Sequence, residues 1–442
     1  MNKRTLVLGS TAIVLLLFFG LTPKLVGMNL RETAIANLFA LIPPEYERQL
    51  QINESGFSSG WFRSEAQIDI EYRVFGAPEP FSMRLDFDFQ HGPVLFTRNG
   101  MRLGLAHASI TPSFNSQVLT EAISDVPFDL PELELNLTTG FDQSLTMELI
   151  IAPTSVTESG VAVNFGGLTG TLVAYRDQSA DITVEMGMFS AGEGSNAFSI
   201  DALDMDSRTE QLSNLLAPSS ATILIQTISA SGVAAFTARD ISALSRLNST
   251  AGNTEQIDIA QELVIAELES EFPLESLTWN SEIKELETQI LRNYYELLSS
   301  LQTEFADGAG TGPDLDQLMD EMLLQLVQNS LVFNNTIDAS IYQGDHNLEL
   351  FVTWLGLPQV SNISALSMEN IIAALEVELH LSLDLEAVTR SPFSAMIDPY
   401  VQQGYITLDN GRILLDMTMA NEQLTINGDV TPLGNFSVQQ TL

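Results

Sequence analysis

The stretch Ala66-Gln67-Ile68-Asp69-Ile70-Glu71-Tyr72-Arg73-Val74 decides the fold class. Apolar and polar residues alternate one by one, the period of a strand with one face in a core and one in water. The period returns in Leu85, Phe87 and Phe89 around Asp86 and Asp88, in Leu133, Leu135 and Leu137, and in Ile182, Val184 and Met186. Strands with one wet face belong mainly to antiparallel sheets. The β-rich region is set at 45–239. Within it, Gly166-Gly167 and Gly170 are read as punctuating a hairpin between Val161 and Tyr175.

Outward from this region the period changes. From Asp240 to Asn329 helical spacing dominates, and 240–330 is read as a helical insertion. Ile283, Leu286, Ile290, Tyr294, Leu297 and Leu301 fall on one helical stripe, and Leu315, Leu318, Met322 and Leu326 on another. The flexible Asp307–Pro313 segment between them predicts an antiparallel helical pair. Strands return over 331–442, where Val377, Leu379, Leu381 and Leu383 alternate with charged and polar residues. A helix is expected from about Pro392 to Gln403. Asn410-Gly411 then joins Tyr405–Leu408 to Arg412–Met419, a strong hairpin signal.

At the other end, Lys3 and Arg4 precede an uncharged run from Thr5 to Pro23. As a helix rising about 1.5 Å per residue it would span roughly 28 Å, the thickness of a bilayer core. Residues 5–23 are read as a transmembrane anchor, 1–4 as its cytoplasmic end, and the bulk of the chain as periplasmic. A cleaved signal peptide is the rival reading. Residues 27–44 are read as a juxtamembrane amphipathic helix stopped by Pro43-Pro44. The expected fold is thus α+β: mainly antiparallel sheet with an inserted helical region, preceded by one N-terminal transmembrane helix.

Composition narrows the function. The 442 residues hold 57 acidic and 18 basic side chains, a formal charge of −39, and no cysteine. Such acidity argues against nucleic acid as a partner. Absence of cysteine removes disulfides, thiolate zinc sites and a Cys nucleophile.

Several segments carry a family likeness. Gly56-Phe57-Ser58-Ser59-Gly60-Trp61-Phe62-Arg63-Ser64 runs into an alternating strand, and Asp88-Phe89-Gln90-His91-Gly92-Pro93 follows another. The hairpin around Asn410 and Gly411, with Leu424–Gly428 after it, completes the pattern. With the N-terminal run, this resembles the YdgA-like family of bacterial envelope proteins, a family of unknown function. The resemblance implies an inner-membrane-anchored protein of Gram-negative bacteria facing the periplasm. It supplies no catalytic residue. Gly56, Phe57, Gly60, Trp61, Phe62, His91, Gly92, Pro93, Asn410 and Gly411 are read as a structural motif, with Trp61, Phe62, His91, Gly92 and Pro93 forming one corner of the fold.

No motif carries chemistry. His91, His107, His346 and His380 lack metal-ligand spacing. Asp204-Met205-Asp206 and Asp314-Leu315-Asp316 lack the rest of a calcium loop, and Asp314 reads better as a helix N-cap. Ser281-Glu282-Ile283-Lys284 fits Ser-x-x-Lys, but at the start of an expected amphipathic helix. No cofactor and no metal site are expected.

The working function is therefore non-enzymatic: binding, as an envelope assembly or scaffold factor. The first alternative is a carrier of lipid or another hydrophobic ligand in a β-sheet groove. The second is a carboxylate-dependent hydrolase. The partner is then a hydrophobic ligand, an envelope protein or, through the leucine stripes, a second copy in a homodimer.

Overall fold

The computed structural model describes residues 50–72, 80–97, 100–114, 131–158, 160–232, 235–251, 253–271, 273–307 and 315–431, with Lys24 and Pro43. The strands in chain order open with β1 (Leu50–Ser59), β2 (Arg63–Tyr72), β3 (Phe81–His91), β4 (Val94–Thr97), β5 (Gly100–Leu103), β6 (Ala106–Phe114), β7 (Leu133–Thr139) and β8 (Leu145–Ile151). They continue with β9 (Thr154–Glu158), β10 (Val161–Phe165), β11 (Leu168–Ala174), β12 (Ala180–Met186), β13 (Phe189–Glu193), β14 (Asn196–Thr209), β15 (Ser219–Ser231), β16 (Phe236–Thr250), β17 (Asn253–Ser270) and β18 (Leu274–Glu287). Helices α1 (Thr288–Asp307) and α2 (Leu315–Gln328) intervene before β19 (Leu331–Ile341), β20 (Gly344–Trp354), the short α3 (Met368–Ala373) and β21 (Leu375–Asp384). The remainder is α4 (Leu385–Arg390), α5 (Ile397–Gln402), β22 (Thr407–Asp409), β23 (Arg412–Ala420), β24 (Gln423–Ile426) and β25 (Asp429–Thr431).

Twenty-three of these strands form one sheet, and β4–β5 stand apart as a two-stranded hairpin. Every pairing is antiparallel, and most join strands adjacent in the chain, from β1–β2 through β21–β23. The alternation around Ala66 and Phe87 becomes a buried cluster with Ile68, Leu85, Phe89, Ala108, Ile110 and Leu137.

The expected α+β architecture needs correction in three places. Among the described residues strand is 64% and helix 14%, so sheet dominates far beyond the expectation. The expected N-terminal transmembrane helix is not supported: among the described residues no helix is long and apolar enough to cross a membrane. Residues 5–23 and most of 27–44 lie outside the described residues.

The third correction falls on 240–330. β16, β17 and β18 occupy it up to Glu287, so among its described residues only α1 and α2 are helical. The stripe Ile283, Leu286, Ile290 that suggested a helix crosses a β-bulge. Ile259 faces Ile283 but Ile257 faces Leu286, with Glu285 at φ 62°. The extra residue turns Ile283 and Leu286, three apart, to one side of a strand, and so imitates a helical step. Ile257, Leu286 and Ile290 then share one buried cluster with partners on α1 and α2.

The glycines at 166 and 167 do not make a hairpin turn. The tight connections lie at Glu158–Val161 and Ala174–Ala180. Instead, Gly166-Gly167 belongs to a seam that crosses the sheet. Ala152-Pro153, Gly166-Gly167, Gly187-Met188, Ala202, Gln226, Asp240 and Ala266 are opposite one another and drop out of the ladder, yet register is the same on both sides. Gly167, Ala202 and Asp240 have positive φ there. Apolar positions are odd before the seam in β15 (Ile223, Ile225) and even after it (Ile228, Ala230). β14 shows the same change, between Ile200 and Leu203.

The C-terminal hairpin forms where expected. Asp409 pairs with Arg412, and Asn410 and Gly411 both have positive φ, the conformation of a type I′ turn. A short 3₁₀ turn and α5 account for the expected helix before it.

Candidate functional site

Trp61, Phe62, His91 and Gly92 come together at one end of the sheet. The β1–β2 connection carries Gly60, Trp61 and Phe62, and the end of β3 meets it: the His91 amide donates to the Phe62 carbonyl at 2.9 Å. His91 is buried, with Nδ1 3.1 Å from the Trp61 carbonyl oxygen and Nε2 2.9 Å from the Ser64 hydroxyl. A carbonyl only accepts, so Nδ1 carries the proton and Nε2 accepts from Ser64. Gly92 donates to the Leu105 carbonyl, and a Cβ at Gly92 would collide with the Gly104 carbonyl. The Gly92–Pro93 peptide is cis. Gly56 and Phe57 lie on β1 facing Gln67 and Ala66, beside a bulge at Glu54/Gly56. Asn410 and Gly411 turn the hairpin at the other end of the strand order.

Ser64 was missed as a member of this corner. Its pairing with a histidine resembles a nucleophile and its base, but both side chains are buried inside the sheet end, away from any substrate.

The other candidates resolve as structure. Ser281 and Lys284 lie on a strand, three apart, so they project to opposite faces, with Lys284 on Glu282 at 2.7 Å. His346 bridges the Ile341 carbonyl and the Asp384 amide. His380 sits across from Asp416 at 2.7 Å. Asp204 and Asp206 lie on β14 opposite Glu185 and Thr183, whereas Asp314 lies outside the described residues. Among the described residues no group of three or more His, Asp and Glu side chains is placed to hold a metal ion. An open depression of about 570 Å³ sits on the polar side of the sheet between Glu65, Gln67, Asp86 and Asp88.

The feature that stands out is continuous and apolar. Directly opposed residues of an antiparallel pair project from the same face, so chains of opposed residues trace that face across the sheet. One such chain starts at Phe57 of the motif and runs through Ala66, Phe87 and Ile110 to Leu135 and Leu149. It crosses Gly170, Val184, Met205 and Ile223. Ala243, Leu263 and Trp279 follow, and then Ile337, Leu348, Leu381 and Leu415. At about 4.8 Å per strand the row is about 75 Å long. No member is polar.

The row one residue over, on the opposite face, reads the other way. It passes Glu65, Asp88, Ser109, Asn136 and Glu148 early on, and Glu262, Asn280, Thr336, Glu349 and His380 later. Acidic side chains thus share the face opposite the apolar row with amides, hydroxyls and a histidine.

Burial divides the apolar row. Ala66, Phe87 and Ile110 are core residues, but from Leu135 to Leu415 every member is only partly covered. In the middle a second row, Leu203, Ile225, Ile241, Ile265 and Leu277, widens it. On the other side a polar strip of Ser245, Gln261, Ser281 and Asn335 separates it from the cluster under α1 and α2, and Asn335 accepts from the Trp279 indole at 2.7 Å.

The profile of a bacterial protein family of unknown function, DUF945, matches residues 1–433. The chain belongs to the DUF945 family. The match spans the corner, the apolar row and the C-terminal hairpin together, so all three lie within the extent of DUF945. Among curated proteins no relative matches. Membership in DUF945 assigns no residue a role, and the apolar face was not legible as one surface in the sequence. Each strand's alternation was visible, but the register that aligns Leu263 with Trp279 and Ile337 was not.

Proposed function

We propose that this protein binds an elongated hydrophobic ligand, an acyl chain or a lipid tail, along the apolar face of its sheet. The observation that carries this is the unbroken row from Leu135 to Leu415, apolar at every strand and covered at none of them completely. A filled core would bury such side chains, as it does Phe87 and Ile110. Each methylene moved from water onto such a surface contributes about 0.8 kcal/mol. The neighbouring strip of Ser245, Gln261 and Asn335 offers hydroxyl and amide partners to a ligand's polar end. The scaffold reading places a protein segment on the same surface, and nothing in the geometry favours it.

Trp279 lies in the row and reports on it. In the full chain with Trp61→Phe and Trp354→Phe, titration with a fatty acid brominated along its chain is expected to quench Trp279 emission saturably. Leu263→Asn with Ile337→Asn, on the flanking strands, is expected to weaken that quenching at least tenfold. Emission that stays unchanged to the solubility limit of the fatty acid would overturn the proposal.

A further inference from the structure

One end of the sheet departs from the rest of the surface. The β4–β5 hairpin pairs Val94 with Leu103, Leu95 with Arg102 and Phe96 with Met101. Opposed residues share a face, so Val94, Phe96, Met101 and Leu103 project to one side and Leu95 and Arg102 to the other. Leu95 is wholly buried and roots the hairpin; Arg102 reaches Glu148 on β8 at 3.8 Å. The side turned away from the molecule is therefore the apolar one, with Phe96, Met101 and Leu103 exposed at 68%, 70% and 71%.

Two more connections bring large apolar side chains to the same end. Trp61 and Phe62 are 49% and 59% exposed on the β1–β2 connection, with ring centres 6.4 Å apart. Phe141 is 48% exposed on the β7–β8 turn, which adjoins the hairpin through the Leu105 amide and the Thr139 carbonyl at 2.8 Å. Isolated exposed apolar residues are ordinary; six from three adjacent connections make a surface.

We propose that this rim docks on a zwitterionic phospholipid bilayer. Three observations favour a bilayer over a protein partner. The apolar groups are Trp, Phe, Met and Leu on separate turns and a short hairpin, the side chains that settle at a membrane interface. The charge fits: the chain carries −39 overall, but here Arg63 pairs with Asp88 and Arg102 with Glu148. The position fits too, because the partly covered stretch of the row begins at Leu135 and Leu149, on the two strands whose connection carries Phe141. Resting on the ligand-binding reading above, the rim is the end at which a lipid tail passes between bilayer and sheet.

Trp61 is one of three tryptophans and lies in the rim, so it tests the docking separately. In the full chain with Trp279→Phe and Trp354→Phe, phosphatidylcholine vesicles with brominated acyl chains are expected to quench Trp61 emission at least twofold. The triple variant Phe96→Ser, Met101→Ser and Leu103→Ser alters only exposed side chains and keeps Leu95; it is expected to abolish most of that quenching with an unchanged circular dichroism spectrum. Trp61 emission indifferent to the vesicles would overturn the proposal and pass the rim to a protein partner, even if Trp279 still responds to fatty acid. Quenching of Trp61 without any response of Trp279 would uphold the rim and remove the ligand path.

Discussion

At His91 a buried hydrogen bond to the Ser64 hydroxyl and a part-buried one to the Trp61 carbonyl tie its strand to the β1–β2 connection and the start of β2. Removing the imidazole takes both away, and a buried hydrogen bond lost without replacement costs about 1–3 kcal/mol. His91→Ala is therefore expected to lower the denaturant midpoint clearly, and Ser64→Ala to lower it less. An unchanged midpoint for His91→Ala would show that the corner is not held this way. His107 makes a pH-dependent prediction. Burial pushes its pKa below the ordinary histidine value, the dominant cause, with Glu148 pulling upward and Arg102 downward. The unfolded chain then takes up a proton near pH 6.5, where the native chain does not. Stability contributed by neutral His107 is full above that pH and falls as pH drops through it. His107→Asn is expected to flatten that part of the unfolding profile; an identical slope would contradict it. His91, Gly92 and Pro93 stood out in the sequence because a histidine, a glycine and a proline follow directly on an alternating strand. Ser64 did not, because it acquires meaning only once β2 and β3 are aligned in register.

Among elements, β17 and β18 show why the rest was hidden. Ala, Leu, Gln and Glu between Ile257 and Leu268 suit helices by intrinsic preference, yet pairing on both edges makes them strand. Within that same stretch Ile257, Ile259, Leu263 and Ile265 keep the period of two, and this was the better guide. Asp258 fixes the bulge between these strands: one carboxylate oxygen accepts from the Glu285 amide at 3.0 Å and from the Thr250 hydroxyl at 2.7 Å. Asp258→Ala is expected to cost about 1–3 kcal/mol, read from the denaturant midpoint. Ile290 on α1 is buried against Ile257 and Leu286. Ile290→Ala is expected to cost about 2–4 kcal/mol, and a loss under 0.5 kcal/mol would show that α1 contributes little to the sheet beneath it.

For the whole molecule, charge and topology set the behaviour. The two faces segregate apolar from acidic side chains, so a formal charge of −39 is concentrated on solvated surface and repels itself. Monovalent salt screens this within about 10 Å at 0.1 M. The melting temperature is expected to rise with sodium chloride from 0.01 to 0.5 M; a fall would mean that the arginine pairs outweigh the repulsion. Antiparallel sheet was legible at this scale, since alternation recurs along the chain. The joining of twenty-three strands into one sheet was not, because alternation specifies a strand's two faces and leaves its neighbours open.

The seam through Pro153, Gly167, Ala202, Asp240 and Ala266 limits how such a chain can evolve. Each strand changes its inward parity at the same level, so neighbours agree only while all of them do. A single-residue deletion at one level of one strand would turn half of that strand inside out against two partners that had not changed. Lineages can therefore lengthen or shorten this protein by whole hairpins, or by shifting the seam in every strand together. Single-residue gaps in its relatives should accordingly gather in the turns and spare the strands.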